Sequence, residues 1–408
     1  MEPVPEAPQP VAARVLLQNR SYRLLWAGQT ISSFGDQFIS IALPFAVVAA
    51  GHSVGALGIV LAARSIPSVG FLLVSGVVAD RLPRRLVMLA SDGVRATVHL
   101  TLAALIASHG ASVIAFAALE ALYGAAHAFF NPATVGLIPE MVPKESLQQA
   151  NAFLSLSRNT ISVTAPAIGG FLVVTAGPAW AFAIDGLSFI ASGICLAMLR
   201  VPARDRTPEH ASFGTDLVEG WRYVASIRWL WFTIATFAVG NVFFTPFYVL
   251  GPVIALRSLG GPKVWGLIVA AGSIGAVVGS LTAARWQVQR PLLMSYLLSP
   301  LMALPLLFLS GPASRWLIGL ALALSYVSIS FGNTLWFTVM QHHVPPGKLS
   351  RTSAVDDFGS FVLNPIAFAL IGPISGALGF STTLLICGLA LIVVPLVELA
   401  LIPEIRQR

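Results

Sequence analysis

Long runs of apolar residues alternate with short polar segments along the whole chain. A helix needs about 20 apolar residues to cross a bilayer, and the runs have that length. The pattern therefore predicts an all-α membrane protein with twelve transmembrane helices. The predicted spans are Leu24–Ala50, Ala56–Ala79, Leu86–Ser108, Val113–Ile138, Ala150–Thr175, Trp180–Leu199, Leu230–Ala255, Val264–Ala284, Leu292–Ser310, Trp316–Met340, Ala354–Leu378 and Thr382–Ile402.

The composition agrees with a membrane protein and excludes an ordinary soluble domain. The mean hydropathy is +0.82 and only 10% of the residues are charged, against about 25% in soluble domains. The polar segment Met1–Pro10 and the length of the first apolar run argue against a cleavable signal peptide. Cys195 and Cys387 both lie in apolar spans, where we expect them to pack without forming a disulfide.

The basic residues lie mainly on one side of the predicted membrane. Of the 24 Lys and Arg residues, only Arg257, Lys263 and Arg315 fall in the opposite set of loops. The positive-inside rule then places both termini in the cytoplasm. The formal charge of +7 follows from this bias and requires no nucleic-acid partner.

The sequence repeats itself at an offset of roughly 200 residues. The matching pairs are 58–66 with 266–274, Val142-Pro143 with Val344-Pro345, Asn131 with Asn333, and Ile168-Gly169-Gly170 with Ile374-Ser375-Gly376. Two pseudo-symmetric six-helix halves are therefore expected. The predicted units are a tail at 1–21, a bundle at 22–199, a linker at 200–228, a bundle at 229–403 and a tail at 404–408.

The linker carries the pattern of an amphipathic helix over 213–229. Leu217, Trp221, Val224 and Ile227 fall on one face of such a helix. We expect the helix to lie at the cytoplasmic surface of the membrane, either as a plain connector or with a regulatory role.

Ionisable residues inside the predicted spans are concentrated in the first half. In the repeat, Asp36 corresponds to Asn241 and Arg64 corresponds to Gly272. A charged side chain at the centre of a membrane helix costs about 2.5–3.5 kcal/mol, so Asp36 should face a cavity or a partner. Two compatible hypotheses follow: Asp36 pairs with Arg64, or Asp36 is a proton-responsive carboxylate.

Spans 4 and 6 contain further candidates. Glu120 has the same two alternatives as Asp36. His127 lies seven residues after Glu120, so both share one helix face, where His127 is either a packing group or a functional one. Asp185 lies early enough in span 6 to be only interfacial.

A highly charged turn joins spans 2 and 3. Its charged positions, with the glycine before them and two positions in span 3, are Gly76, Asp80, Arg81, Arg84, Arg85, Asp92 and Arg95. The pattern Gly-x-x-x-Asp-Arg-x-x-Arg-Arg resembles the loop signature of the major facilitator superfamily. The resemblance implies two six-helix bundles with substrate bound near the midplane. We expect the turn to form a cytoplasmic gate with Asp356 and Asp357 at the start of span 11.

Span 5 carries a second motif around Pro166, Gly169 and Gly170, which resembles the antiporter signature of the superfamily's drug exporters. Pro166 would bend the helix, and the two glycines would let another helix approach closely. Span 4 departs from the exporters' pattern, because Glu120 stands where they have an arginine. Arg64 would then supply the positive charge from span 2.

The motifs together resemble the branch of the superfamily that contains the enterobactin exporter and the macrolide efflux permeases. This resemblance implies proton-coupled efflux of a bulky amphipathic small molecule (a drug, a macrolide or a siderophore-like compound) across a bacterial inner membrane. We expect a monomer in which Asp36 is the main coupling carboxylate.

Other classes of function are weighed against efflux. An importer or facilitator of a small metabolite on the same fold is the alternative, and a membrane sensor is a third class. The sequence has no nucleophile–base set, phosphate-binding loop or metal-ligating cluster, so we expect no enzyme activity, no cofactor and no metal.

Overall fold

The structure, a computed structural model, describes residues 18–143, 146–200, 213–286 and 288–407. The first half contains the helices α1 (Arg20–Ala49), α2 (Val54–Gly70), α3 (Leu72–Arg81), α4 (Arg84–Ala107), α5 (Val113–Leu137), α6 (Leu147–Thr175) and α7 (Pro178–Ala197). The linker and the second half contain α8 (Phe213–Ser226), α9 (Arg228–Ile254), α10 (Gly261–Arg285), α11 (Pro291–Leu298), α12 (Leu304–Leu309), α13 (Arg315–His343), α14 (Pro346–Phe361), α15 (Asn364–Leu378), α16 (Phe380–Leu401) and α17 (Pro403–Gln407). The predicted all-α architecture is confirmed.

In the part of the chain that the structure describes, nine helical segments are long and apolar enough to cross a membrane. The other three predicted spans are also helical, but they are interrupted or more polar. Span 2 breaks at Phe71 between α2 and α3, and α4 carries Asp92 and Arg95 in its middle. The helices thus agree with the twelve-span pattern.

Side-chain caps and glycines explain where several helices begin. The Asn19 side chain accepts hydrogen bonds from the first backbone N–H groups of α1, and Ser53 and Ser112 cap α2 and α5 in the same way. Gly177 and Gly379 precede α7 and α16 with φ of +88° and +81°. A left-handed backbone favours glycine, so the last long helix of each half starts from the same kind of turn.

The outer surface of the helices is rich in exposed apolar side chains. Trp316 is 70% exposed and Leu401 is 68% exposed. Large continuous apolar surfaces of this kind mark contact with a membrane. The bilayer therefore covers the side chains that no other helix covers.

The two halves contact each other closely on the face opposite the termini. The position of a Cβ on Gly170 of α6 would lie 2.5 Å from the carbonyl oxygen of Pro262 in α10. A Cβ on Gly58 of α2 would lie 2.4 Å from the carbonyl oxygen of Phe368 in α15. Small residues thus let the backbones of the two halves touch, next to the loops around Gly177 and Gly379.

The linker helix α8 packs on the second half. Its Glu219 forms an ion pair with Arg351 of α14, and Gly220 lies against the Arg351 backbone. Of the residues on its predicted apolar face, Val224 is buried and Trp221 is 46% exposed. The Leu217 side chain lies outside the described part.

Candidate functional site

Asp36 lies in the middle of α1, in contact with two other helices of the first half. Its carboxylate accepts a hydrogen bond from the Tyr123 hydroxyl of α5, and its Oδ2 lies 3.8 Å from Nη1 of Arg95 in α4. The hypothesis that Asp36 pairs with Arg64 is therefore wrong in this structure. The Asp36 side chain is 26% exposed, whereas Arg95 is 1% exposed, so water reaches this ion pair from the Asp36 side.

Arg64 pairs with Glu120 instead. Its Nη1 lies 3.2 Å from Oε2 of the fully buried Glu120, and its guanidinium lies over the Tyr123 ring, 4.1 Å from the centroid. This pairing could not be predicted from the sequence, because it depends on how α2 and α5 cross. A Cβ on Gly124 would lie 2.0 Å from the Arg64 carbonyl oxygen, so the glycine is what lets these two helices approach.

Arg95 is the most deeply buried cation of the cluster. It forms an ion pair with Asp92 one turn earlier in α4, and both side chains are 1% exposed. The rings of Phe130 and Phe189 enclose its guanidinium at 4.1 and 4.2 Å from their centroids. Asp92 and Arg95, which the sequence places in the gate motif, thus belong to the buried cluster of the first half.

His99 and Asp185 complete the cluster. The His99 ring lies parallel to the Tyr123 ring at 4.4 Å, its Nδ1 contacts Asp185 of α7, and its Nε2 lies 3.7 Å from Oε1 of Glu120. Asp185 is fully buried, so its expected interfacial position is wrong. A Cβ on Gly35 would lie 2.3 Å from the Asp185 carboxylate, which explains why α1 has a glycine there.

His127 and Asn241 lie apart from these contacts. His127 stacks on Tyr123 at 5.8 Å and its side chain is exposed, four residues beyond the buried Tyr123. Asn241 donates from Nδ2 to the Ser360 carbonyl at 3.0 Å and lines a cavity of the second half. Glu120 and His127 thus differ in burial although they share a helix.

The buried cluster has an excess of negative charge. It contains four carboxylates (Asp36, Asp92, Glu120 and Asp185) and two guanidinium groups (Arg64 and Arg95). Two negative charges are therefore uncompensated when the His99 imidazole is neutral and every carboxylate is ionised. Isolated buried charges are costly, so this arrangement is suited to holding protons.

The second half encloses a cavity of about 290 Å³. Its walls combine aromatic, hydroxyl and amide groups with two carboxylates, and include Thr236, Phe237, Asn241, Phe243, Tyr296, Trp336, Phe337, Asp356, Asp357 and Phe361. No Lys, Arg or His belongs to the described lining. Glu398 of α16 lies behind it, 3.2 Å from the Tyr296 hydroxyl.

The predicted gate residues separate into two groups. Arg84 lies 3.0 Å from Glu140 and Arg85 donates to the Leu196 carbonyl at 2.7 Å, so both contact their own half. Asp356 accepts a hydrogen bond from Nε1 of Trp336 at 2.8 Å, and Asp357 is exposed.

The pairing of these groups across the halves stays a prediction. The Gly76 and Asp80 side chains lie outside the described part. Arg81 ends α3, which approaches α14 on the face that carries the termini.

The span 5 motif lies at the contact between the halves. A Cβ on Gly266 of α10 would lie 2.4 Å from the Pro166 carbonyl and 3.2 Å from the Gly170 Cα. A Cβ on Gly169 would lie 3.1 Å from the Phe38 ring of α1. Gly169 therefore allows close contact with a helix of its own half, and Gly170 allows close contact with a helix of the other half.

Sequence reasoning missed three members of these networks. His99 follows Asp92 and Arg95 at helical spacing on α4, a signal that was sufficient to place it on the same face. Tyr123 and Glu398 had no such signal. A tyrosine within a membrane helix is common, and so is a carboxylate near the end of one, where Glu398 lies.

The fold and its intramembrane charges define a polytopic transporter class. Residues 25–368 match the Major Facilitator Superfamily, and the chain belongs to that family. Its fold is accordingly the two-bundle major facilitator fold, and it is a transporter and not an enzyme.

Relatives of known name agree with this assignment. The chain is 26% identical to the Enterobactin exporter EntS of Citrobacter koseri over 96% of this chain and 94% of the relative. It is 27% identical to the protein of that name in Escherichia coli O1:K1, over 94% of each.

Solved structures share the fold at low sequence identity. One is the nucleoside transporter NupG (TM-score 0.72, 13% identity, 93% of this chain and 98% of that chain). Another is a bacterial homologue of the iron transporter ferroportin in an inward-facing state (TM-score 0.73, 16% identity, 93% and 98%).

Proposed function

We propose that this protein is a proton-coupled efflux transporter for a bulky amphipathic small molecule in a bacterial inner membrane. The observation that carries the proposal is the buried cluster with its excess of carboxylates, joined to the surface through Asp36. The names of the relatives, which are enterobactin exporters, support export of a siderophore-like compound.

Asp36 is the main coupling carboxylate in this proposal. Glu120, Asp92 and Asp185 are at most 1% exposed, while Asp36 is 26% exposed, so a proton from water reaches Asp36 first. Protonation removes the charge that attracts Arg95 and leaves the Tyr123 hydroxyl as partner. Without this attraction, α1, α4 and α5 are held less strongly in this arrangement. Protonation of Asp36 is thereby linked to a change of conformation.

The substrate occupies the space between the halves and the cavity of the second half. Aromatic walls such as Phe237 and Trp336 contact its apolar part, and Asn241 with the hydroxyl groups contacts its polar part. Arg64 and His127 face this space from the first half. In this proposal the first half holds the protons, and the second half supplies most of the contacts with the substrate.

Alternating access follows from the contacts between the halves. The close approach at Gly170 and Pro262 lies on the face opposite the termini. With both termini in the cytoplasm, this arrangement corresponds to an inward-open transporter that is sealed on the outside. Pro166, Gly169 and Gly170 then form part of the outer seal.

A cytoplasmic latch closes the opposite face in the outward-open state. In that state Arg81, Arg84 and Arg85 pair with Asp356 and Asp357, and Asp80 lies near the positive N-terminal end of the span 11 helix. The position of α3 next to α14 supports this pairing. Asp80→Asn should weaken the outward-open state. Unchanged cysteine accessibility of the two faces in Asp80→Asn would exclude the latch.

Transport by the purified protein in proteoliposomes tests the proposed function. Enterobactin and a macrolide serve as substrates, and the pH gradient is imposed in each direction. Efflux antiport predicts substrate movement against the direction of proton flow. Movement of both in the same direction, or equal rates without a gradient, would instead support the importer or facilitator.

A further inference from the structure

A histidine that the proposed coupling does not use lies at the centre of the buried cluster. The His99 imidazole is fully buried and stacks on Tyr123. Its Nδ1 contacts Asp185, and its Nε2 faces Oε1 of Glu120. Two carboxylates from different helices, α7 and α5, therefore flank one imidazole.

The contact between His99 and Glu120 is incomplete. Nε2 of His99 and Oε1 of Glu120 both lack a hydrogen-bond partner among the described residues, and their separation of 3.7 Å exceeds that of an N–H···O bond. Leaving two buried polar atoms unpaired costs free energy. One proton on Nε2, with a small shift of the Glu120 side chain, would satisfy both atoms, because the imidazolium donates to a carboxylate on each side.

The other groups around His99 fix the ring without competing for this proton. Phe182 and Phe189 of α7 cover the ring at 5.3 and 5.9 Å between centroids. Arg95, one turn earlier in α4, is held by Asp92 and Asp36. The neighbouring charges that act directly on His99 are thus the two carboxylates.

Glu120 stands between two cationic partners. Its Oε2 contacts Arg64 at 3.2 Å and its Oε1 faces His99. When His99 is neutral, Arg64 alone holds the carboxylate. When His99 carries a proton, Glu120 is shared, and the attraction on Arg64 decreases. The Arg64 side chain is 28% exposed, so it is then free to contact an acidic group in the space between the halves.

We infer that His99 is a second proton-binding site, distinct from Asp36, whose proton draws Glu120 from Arg64 and frees that arginine for an acidic group of the substrate. The inference rests on the proposed proton coupling and extends it. It assigns two protonation sites to the transport cycle, one open to water and one buried behind Tyr123.

Proton uptake by the purified full-length protein in lipid nanodiscs tests the site without transport. His99→Asn keeps a short donor near Asp185 and removes Nε2. Two flanking carboxylates favour the charged form of an imidazole, so the titration must extend above the ordinary histidine range. Between about pH 10 and about pH 5, we expect this variant to take up one proton fewer than the wild type. Equal uptake means that His99 keeps one charge state throughout and overturns the inference. Thermal unfolding of the variant verifies that it is folded.

The coupling ratio supplies the second measurement. In proteoliposomes, the substrate gradient that balances an imposed proton gradient at zero net transport gives the number of protons per substrate. We expect His99→Asn to lower that number by one and His52→Asn to leave it unchanged. His52 is a suitable control because its Nε2 lies 3.0 Å from the Ala111 carbonyl oxygen, outside the cluster.

The two measurements distinguish failure of the His99 proton site from failure of the proposed function. An unchanged ratio in His99→Asn overturns the second site even if Asp36 couples protons. A wild-type protein without any proton coupling overturns the proposed function, whereas the uptake experiment still decides whether His99 binds a proton.

Discussion

The interiors of the two halves differ in kind although one sequence repeat relates them. In the first half, charged side chains from α1, α2, α4, α5 and α7 contact one another in a continuous buried cluster. In the second half, the equivalent space is a cavity of about 290 Å³ with aromatic and hydroxyl walls. The six-helix fold therefore accommodates either a buried charged cluster or an open cavity. We attribute the difference between the halves to their different functions.

Equivalent positions show how the difference arose in physical terms. Asp36 corresponds to Asn241, which keeps a hydrogen bond to Ser360 but adds no charge. Arg64 corresponds to Gly272, where a Cβ would lie only 2.9 Å from the Leu322 side chain. The second half packs helices where the first half places an arginine, so it has no counterpart of the Arg64–Glu120 pair.

Replacement of the acid Asp36 by the amide that the second half has at the equivalent position should have the largest effect on transport. Asp36→Asn keeps the hydrogen bond from Tyr123 and removes the titrating group, so we expect pH-driven efflux to fall to background. Exchange of substrate without a gradient should persist. Transport assays in proteoliposomes with and without a pH gradient measure both quantities.

Asn241→Asp is the matched variant in the second half. It adds a carboxylate to the cavity wall but creates no contact with Arg95, so it should not restore pH-driven efflux to Asp36→Asn. Efflux at the wild-type level in Asp36→Asn would make Asp36 structural and Glu120 the next candidate. Restoration by Asn241→Asp would remove the functional distinction between the halves.

The spans, the repeat and the charged positions could be predicted because they depend on local patterns. An apolar run of bilayer length has few alternatives to a membrane helix. Intramembrane charge is rare enough that Asp36 and Glu120 stand out in the sequence. The locations of these residues on their helices were therefore available from the sequence.

Which charge pairs with which could not be predicted, because pairing depends on helix crossing. Arg64 and Glu120 meet only because Gly124 lets α2 and α5 approach. Asp185 looked interfacial from its distance to the helix start, yet Gly35 admits its side chain between α1 and α7. Small residues, which carry no charge signal of their own, determined both contacts.

Removal of the central arginine should cost the first half more stability than an equivalent change costs the second. Arg95→Leu leaves Asp92 buried without its cation, and such a loss costs about 3–5 kcal/mol. Glu398→Gln in the second half keeps hydrogen-bonding atoms near Tyr296 and Thr236, so we expect about 1 kcal/mol or less. Reversible unfolding in mixed micelles measures both differences.

The prediction requires Arg95→Leu to lose clearly more unfolding free energy than Glu398→Gln. Equal stability losses would mean that the buried charges of the first half are no more tightly coupled than the hydroxyl network of the second. Loss of folded Arg95→Leu protein agrees with the prediction, and Arg95→Lys, which keeps the charge without the planar stacking on Phe130 and Phe189, should then recover part of the stability.

The smallest effect concerns the glycines that the repeat aligns at the ends of α6 and α15. A Cβ on Gly170 would lie 2.5 Å from the Pro262 carbonyl of the other half. At the equivalent Gly376, no atom from another described helix lies within 4 Å of that position. Gly170→Ala must therefore push the two halves apart on the face opposite the termini, at a cost of about 1–3 kcal/mol for an overpacked contact. Gly376→Ala should be neutral. Cysteine labelling from each side of the membrane should show Gly170→Ala shifted toward the outward-open state, with Gly376→Ala matching the wild type. Identical labelling of the two variants would mean that this contact does not seal the outer face, and the seal would then have to lie at Gly58 and Phe368.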